Sequence, residues 1–470
     1  MLASFDVRLH SISIDHLKNV AHGDICLTNS SLISRANILG LYGQNGSGKT
    51  ALIDALSIFQ LVVANRKIPA EFADRISKDS DFAHLSFVFH LTNGSDLYTV
   101  NYECKLRENM EEGLEFSTSS NVVVFDEILS YAFENETQKT RKTRVIDTTC
   151  NDMPFAPRSK FKLLTGGGQK VAMALNFDKG SQQNQSKSFA FSPKLHDVFK
   201  ERLNITDLDE NDRTEITLTV ALLDRLRQYA AMELFIVTSQ AGNLLGLDTL
   251  ILGFRLKESN RPMSGQLPIA LKASVIPTEF LSLIKTILTK VNIVLQEIIP
   301  GLTVGIRELG QELLPDNRKG TSIQLVSVRD HKEIPLKYES DGIKKIISVL
   351  SLFIALYNKR SITVAIDELD SGIFEYLLGE LLRILAEKGK GQLIFTCHNL
   401  RPLETLPQEF IAFTSTNPES RYMRLGAIKA TNNLRDVFYR EIMVGDDTLY
   451  SRTRNPEISW AFRKAWEDES

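Results

Sequence analysis

Apolar positions along this chain alternate between two periods, and the switches mark its elements. Asn37-Ile-Leu-Gly-Leu-Tyr42 is an apolar run that reads as a buried strand, and Ala51 to Gln60 continues as a helix. Leu85 to Leu91 and Leu97 to Cys104 read as strands flanking Thr92-Asn-Gly-Ser95, which predicts a hairpin. Asn121 to Phe125 and Lys142 to Asp147 predict further strands that extend it into an antiparallel subdomain. Leu218 to Phe235 and Glu279 to Ile299 read as helices without sustained heptads, which excludes a long coiled coil. Ile343, Ile346, Ile347, Leu350, Phe353 and Leu356 repeat at helical spacing. A β-branched strand then ends at Asp367-Glu368, an amphipathic helix runs from about Phe374 to Lys388, and Gly391 to Thr396 forms another apolar strand. Thr165-Gly-Gly-Gly-Gln169 and Ser181 to Ser188 are low in complexity and predict mobile loops.

Candidate chemistry sits where these strands end. Gly43-Gln-Asn-Gly-Ser-Gly-Lys-Thr50 fits the phosphate-loop pattern GxxxxGK[ST] in the strand–loop–helix context that pattern needs. Gly43, Asn45, Gly46, Ser47 and Gly48 supply the backbone cradle, with the helix N-terminus pointing free N–H groups at the phosphates. Lys49 would neutralise the β- and γ-phosphates, and the Thr50 hydroxyl would hold Mg²⁺. More than three hundred residues later, Asp367 is the candidate metal residue and Glu368 the candidate general base. His398, at the end of the next strand, can hydrogen-bond a γ-phosphate and an attacking water. Ser340 and Gly342 open a helix one element before the acids, as a helix cap and as a second anion-binding start.

The order of these segments resembles that of ATP-binding-cassette ATPases: Walker A at 43–50, a degenerate signature at 339–345, Walker B at 362–368, a D-loop with Asp370 at 369–372, and a switch histidine at 398. The opening Arg8 to Asn19 is similar to the RecF and SMC branch. The strings Ser-Asp-Gly-Ile-Lys-Lys, Asp-Glu-Leu-Asp-Ser-Gly, Phe-Thr-Cys-His-Asn and Thr431 to Tyr439 look like the OLD-like and AAA-15/AAA-21 ATPases, which include subunits of anti-phage systems such as Septu and PARIS. The resemblance covers roughly residues 5–60 and 335–440. Its signature reads Ser-Asp-Gly-Ile where the family has Ser-Gly-Gly-Gln, so the contacts of Asp341 and Ile343 do not carry over.

The resemblance implies an α/β fold: an ABC-type P-loop ATPase head assembled from N- and C-terminal segments, with an antiparallel β subdomain and a mixed, mostly helical middle insertion. Expected regions are 1–165, 166–330 and 331–470. It also implies ATP and Mg²⁺ as cofactors, contacts to nucleotide from Ser340, Gly342 and Asp370, and a head-to-tail homodimer or higher homo-oligomer. The expected role is control of a separate nuclease effector in anti-phage defence, since only about thirty residues follow Tyr439. A RecF-like DNA-repair ATPase and a nucleotide-gated scaffold with little hydrolysis are the alternatives.

Composition adds limits. The net charge of −3 gives no global field toward nucleic acid. Lys139, Arg141, Lys142, Arg144, Arg158, Lys160 and Lys162 form a local basic stretch, either a solvated loop or a phosphate contact. Apolar runs are too short to span a bilayer, and no secretory signal is visible, so no membrane is expected. Cys26, Cys104, Cys150 and Cys397 are scattered, which suits a reducing cytoplasm.

Overall fold

The computed structural model describes residues 5–27, 36–110, 120–206, 208–238, 249–258, 261–424, 434–438 and 455–467. Two six-stranded sheets organise it. The first is antiparallel, in the order β2-β1-β4-β5-β6-β7, built from β1 (Asp6–Leu17), β2 (Val20–Cys26), β4 (Ala83–Asn93), β5 (Asp96–Met110), β6 (Ser120–Glu134) and β7 (Thr143–Asp147). The predicted hairpin is β4–β5, closed at the Asn93–Asp96 pair by Gly94 at φ +63°. Alternation is strict along β4, whose odd-numbered residues from Ala83 to Leu91 face the core.

The second sheet runs β18-β17-β3-β16-β15-β8, and the segments at 43–50, 367–368 and 398 follow its strands β3, β15 and β16. Its strands are β3 (Asn37–Tyr42), β8 (Leu234–Val237), β15 (Thr363–Ile366), β16 (Gln392–Thr396), β17 (Ile411–Thr414) and β18 (Tyr422–Met423). All pairings are parallel except β17–β18. Being covered on both faces, β3, β15, β16 and β17 are buried at every position, as continuous apolar runs require. The N-terminal β3 thus lies between two strands from the other end of the chain, while the middle of the chain supplies the edge strand β8.

Helix α1 (Lys49–Val63) fills the space between the sheets. Its Phe59 ring lies 4.8 Å from Phe87 and 4.9 Å from Phe89 of β4, and the same core contains Ala365, Ile394 and Ala412 of the parallel sheet. Helices α2 (Arg158–Thr165), α3 (Gln169–Asn184), α4 (Pro193–Leu203) and α5 (Glu210–Met232) join this core. A second core covers the other face with α6 (Glu279–Ile298), α7 (Asp341–Asn358) and α8 (Glu375–Lys388). Its strands are the hairpin β9 (Thr249–Glu258) and β10 (Arg261–Ala270), and a sheet of β11 (Ser274–Pro277), β12 (Thr303–Leu313), β13 (Lys319–Arg329) and β14 (Lys332–Pro335). The fold is α/β, and the longest helix among the described residues is α5 at 23 residues. No described helix is long and apolar enough to cross a membrane.

The loop expected over Ser181–Ser188 is a correction: α3 runs through Asn184, and Ser186 and Ser188 are fully buried. The cause is Glu127, a buried carboxylate on β6. It accepts from Tyr102 Oη (2.7 Å), from the Ser188 hydroxyl, and from the Phe189 and Ala190 N–H groups (2.8 and 3.1 Å). A buried acid recruits polar residues that composition alone reads as solvent-facing. Of the Thr431–Tyr439 string, 431–433 and 439 lie outside the described residues. Within it, Phe438 stacks on Phe413 at 5.0 Å.

Candidate functional site

A cleft of about 420 Å³ opens where β3, β15 and β16 end. Asn45 to Ala51, Asp367, Glu368, Thr396 and His398 line it, together with Lys18 and Asn19 from the β1–β2 turn. Segments separated by more than three hundred residues therefore meet in one site because β3 and β16 pair in parallel register, Thr396 opposite Leu41.

Residues of the loop at 43–50 hold it by contacts with its own backbone. Ser47 Oγ donates to the Gln44 carbonyl at 2.6 Å and lies against Thr414 Oγ1. Lys49 is folded back, its Nζ donating to the Gly43 and Gln44 carbonyls at 2.8 and 2.9 Å. Burial lowers the affinity of this ammonium for its proton, and the charges of Asp367, Glu368 and Asp370 oppose that shift. Gly48 sits at φ +93°, and a Cβ there would lie 2.8 Å from Val20 Cγ2, so the turn needs glycine on both counts.

The two acids are fixed by one hydroxyl. Thr396 Oγ1 donates to Asp367 Oδ1 at 2.6 Å and accepts the Glu368 N–H at 2.7 Å. Thr50 Oγ1 lies 3.5 Å from the same Asp367 oxygen. Asp367 is 2% exposed, and its Oδ2 is buried with no hydrogen-bond partner among the protein groups. A buried, unpartnered carboxylate oxygen on a residue beside a threonine hydroxyl, at the end of the loop at 43–50, fits a hard divalent cation with oxygen ligands. Glu368 is exposed and held at φ +51°, a left-handed conformation that is costly for a non-glycine residue. Its carbonyl accepts from Lys345 Nζ at 3.3 Å.

His398 is exposed on the cleft wall. Its backbone is tied down by Asp370, whose Oδ2 accepts the His398 and Asn399 N–H groups at 3.0 and 2.8 Å. The Asp370 carboxylate thus orients the end of β16 within its own chain. Ser340 caps α7, accepting from the Ile343 N–H at 3.4 Å. Ser340 and Gly342 do not line the cleft. Gly342 packs on Gly372, so closely that a Cβ would fall 2.1 Å from the Gly372 carbonyl oxygen.

Among solved structures, the chain is similar to the Smc head domain with an extended coiled coil of Pyrococcus furiosus, bound to the C-terminal domain of ScpA. The match has 12% identity, covers 92% of this chain and 100% of that one, and has a TM-score of 0.38. The SMC head domain from Thermotoga maritima matches at 13% identity, with 89% and 100% covered and a TM-score of 0.36. The recombination mediator RecF of the RecFOR pathway matches at 10% identity, with 91% and 100% covered and a TM-score of 0.36. No protein-family model and no curated protein matches the sequence.

Several residues of the site carried no sequence signal. Arg421 Nη1 donates to the Ser415 and Thr416 carbonyls at 2.7 and 3.3 Å, and its Nη2 to the Asn19 carbonyl. Tyr422 Oη donates to the Gly48 carbonyl at 3.0 Å. Together they brace the phosphate loop and the β1–β2 turn from the C-terminal side. Lys18 contacts Asp54 of α1, which Arg75 Nη1 also holds at 2.5 Å. Lys345, 8% exposed, brings a second ammonium toward Asp367, Glu368 and Asp370. In the basic stretch at 139–162, by contrast, four of the seven cations pair with carboxylates. Lys139 pairs with Glu134 at 2.8 Å, Lys142 with Glu103 at 3.4 Å, Arg144 with Asp147 at 2.8 Å, and Lys160 with Glu215.

Proposed function

We propose that this chain is an ABC-type ATPase that binds Mg²⁺–ATP in the cleft at 43–50 and hydrolyses it in a head-to-tail pair with a second copy. The observation that carries this reading is the convergence of the phosphate loop, Asp367, Glu368 and His398 on one cleft, while Ser340 and Gly342 sit outside it. Bound Mg²⁺–ATP supplies an electrophilic γ-phosphorus and a leaving group whose charge the metal neutralises. In this reading Lys49 leaves the Gly43 and Gln44 carbonyls for the phosphates, and Thr50 with Asp367 holds the cation. Glu368 would take the proton of the attacking water, and His398 would orient that water from the neighbouring strand end. Ser340 and Gly342 of one copy contact the nucleotide of the other. Exposed Tyr338 (71%), Phe374 (69%) and Tyr376 (56%) flank this signature start and would be covered by pairing.

The assembly controls a separate nuclease effector in anti-phage defence. This role is supported by the resemblance of the Ser340–Lys345, Asp367–Gly372 and Phe395–Asn399 strings to the OLD-like group. The pairing of most of the 139–162 cations with carboxylates favours it over direct duplex binding. The test is Glu368→Gln, which should trap an ATP-bound dimer in size-exclusion light scattering. A monomer that binds ATP tightly would refute pairing. For the cellular role, Lys49→Ala should abolish protection in a phage plating assay without lowering protein abundance.

A further inference from the structure

The parallel sheet has a second, opposite end. Glu233 leads into β8, Ser361 lies just before β15, and Lys390 just before β16; all three line a separate cavity of about 410 Å³. Four cations line it, Arg225, Lys359, Arg360 and Lys390, against two acids, Asp6 and Glu233. Burying cationic groups around a polar hollow is costly unless their N–H donors find acceptors.

Two arginines at this end of the sheet, Arg225 on the cavity wall and Arg8 behind it, carry a terminal nitrogen that is buried without a partner. Arg225 is 4% exposed; its Nε donates to the Phe5 carbonyl at 2.7 Å and its Nη2 to Glu233 Oε2 at 2.6 Å, while Nη1 is buried with no partner. Arg8, behind the same loops and 8% exposed, donates from Nη1 to the Lys390 carbonyl at 3.0 Å, and its Nη2 is likewise buried without a partner. Both guanidinium groups act electrostatically on the buried Tyr229 phenol, so they share one neighbourhood. Burial and the nearby Arg360 charge push the Arg8 pKa down to about 10, against the opposing charge of Asp6. Each arginine is therefore oriented by the protein, yet keeps a terminal nitrogen in reserve.

We propose that this cavity binds a small phosphorylated anion. Guanidinium groups match phosphate oxygens in geometry, and the excess of two cations over acids matches a phosphate dianion. The hollow is nearly as large as the nucleotide cleft, 410 against 420 Å³, so it admits an organic phosphate of nucleotide size. Concavity and buried donors suit a terminal phosphate better than the continuous backbone of a nucleic acid.

The test uses inorganic pyrophosphate as probe, in isothermal titration of the full chain carrying Lys49→Ala, so that the phosphate loop contributes little. Saturable binding is expected to persist in that background. It should weaken by about tenfold or more when Arg360→Glu and Lys390→Glu are added, both rim residues. Arg225→Lys, which keeps a cation beside Glu233 but removes the second terminal nitrogen, should weaken it too. With Lys49 restored, Mg²⁺–ATP binding to the charge-reversed chain should be unchanged, which reports folding and separates this site from the cleft. Loss of all pyrophosphate binding with Lys49→Ala alone, or indifference to both sets of changes, overturns the proposal. Tighter binding of a 5′-phosphorylated oligonucleotide than of pyrophosphate, through the same residues, overturns the assignment to a small ligand.

Discussion

Thr396→Val isolates the hydroxyl that ties the two acids together. Valine keeps the shape of threonine and removes both bonds, the 2.6 Å donation to Asp367 and the 2.7 Å acceptance from the Glu368 N–H. The first is charge-assisted, worth about 1.5–3 kcal/mol, and the second about 0.5–1.5 kcal/mol, so a stability loss of roughly 2–4 kcal/mol is expected. The kinetic effect follows from Glu368, whose φ of +51° costs about 1–3 kcal/mol and is sustained partly by that N–H bond. Once released, the backbone relaxes and the carboxylate leaves its place over the cleft. Turnover should then fall by about 10²-fold, the usual contribution of a positioned base. Nucleotide affinity, carried mainly by the phosphate loop, should change far less. Urea unfolding followed by circular dichroism reads the first quantity, and phosphate release at saturating Mg²⁺–ATP the second. Thr396→Ser, which keeps the hydroxyl, should recover most of both. A valine variant within about 0.5 kcal/mol of the parent with normal turnover would refute the assignment of this bridge.

Gly342→Ala drives a Cβ to within 2.1 Å of the Gly372 carbonyl, a backbone atom that cannot rotate aside. The start of α7 must shift, at a cost of about 1–3 kcal/mol in a thermal melt, and ATP-dependent pairing should be lost while monomeric nucleotide binding remains. A melt identical to the parent's would sink this account. His90 supplies a pH dependence. Burial, and secondarily the stacked His10 ring 4.2 Å away, hold its pKa down to about 4, from 6.5 in the unfolded chain. The folded state therefore disfavours protonation. The stability this contributes is whole above pH 6.5 and drains as pH falls toward 4, by about 1–2 kcal/mol after discounting for partial exposure. His90→Phe should flatten that acid limb, and an unchanged limb would show that the pair is not its source.

What the sequence disclosed follows from the range of the forces involved. Gly43 to Thr50, Asp367-Glu368 and His398 are legible because each ends a strand or opens a helix, and strand burial is written in adjacent residues. The hairpin at Asn93–Asp96 is legible for the same reason. Arg421 and Tyr422 are not, because their partners Asn19 and Gly48 lie 402 and 374 positions away and nothing local marks the contact. Edge strand β8 is hidden behind α5, since Leu234–Val237 continues the apolar pattern of the helix before it. Ser181–Ser188 misleads because its polar groups serve an acid on a distant strand, not water. Lys345 is masked by its neighbour: of the adjacent lysines at 344–345, Lys344 pairs locally with Asp341, while Lys345 reaches the Glu368 carbonyl 23 positions away.

The position of β3 has a consequence during synthesis. Both its neighbours in the sheet, β16 and β17, emerge about 350 residues after it. At about 5–20 residues per second, a ribosome leaves this strand, buried at every position in the finished fold, without either partner for roughly 20–70 s. The braces at Arg421 and Tyr422 come later still. A ligand of the cleft therefore cannot template the early chain; it could stabilise only a nearly finished one. Until then Asn37–Tyr42 is an unpaired β-segment open to wrong partners, and shielding it falls to the α1 and β4 cores, which the ribosome has already released.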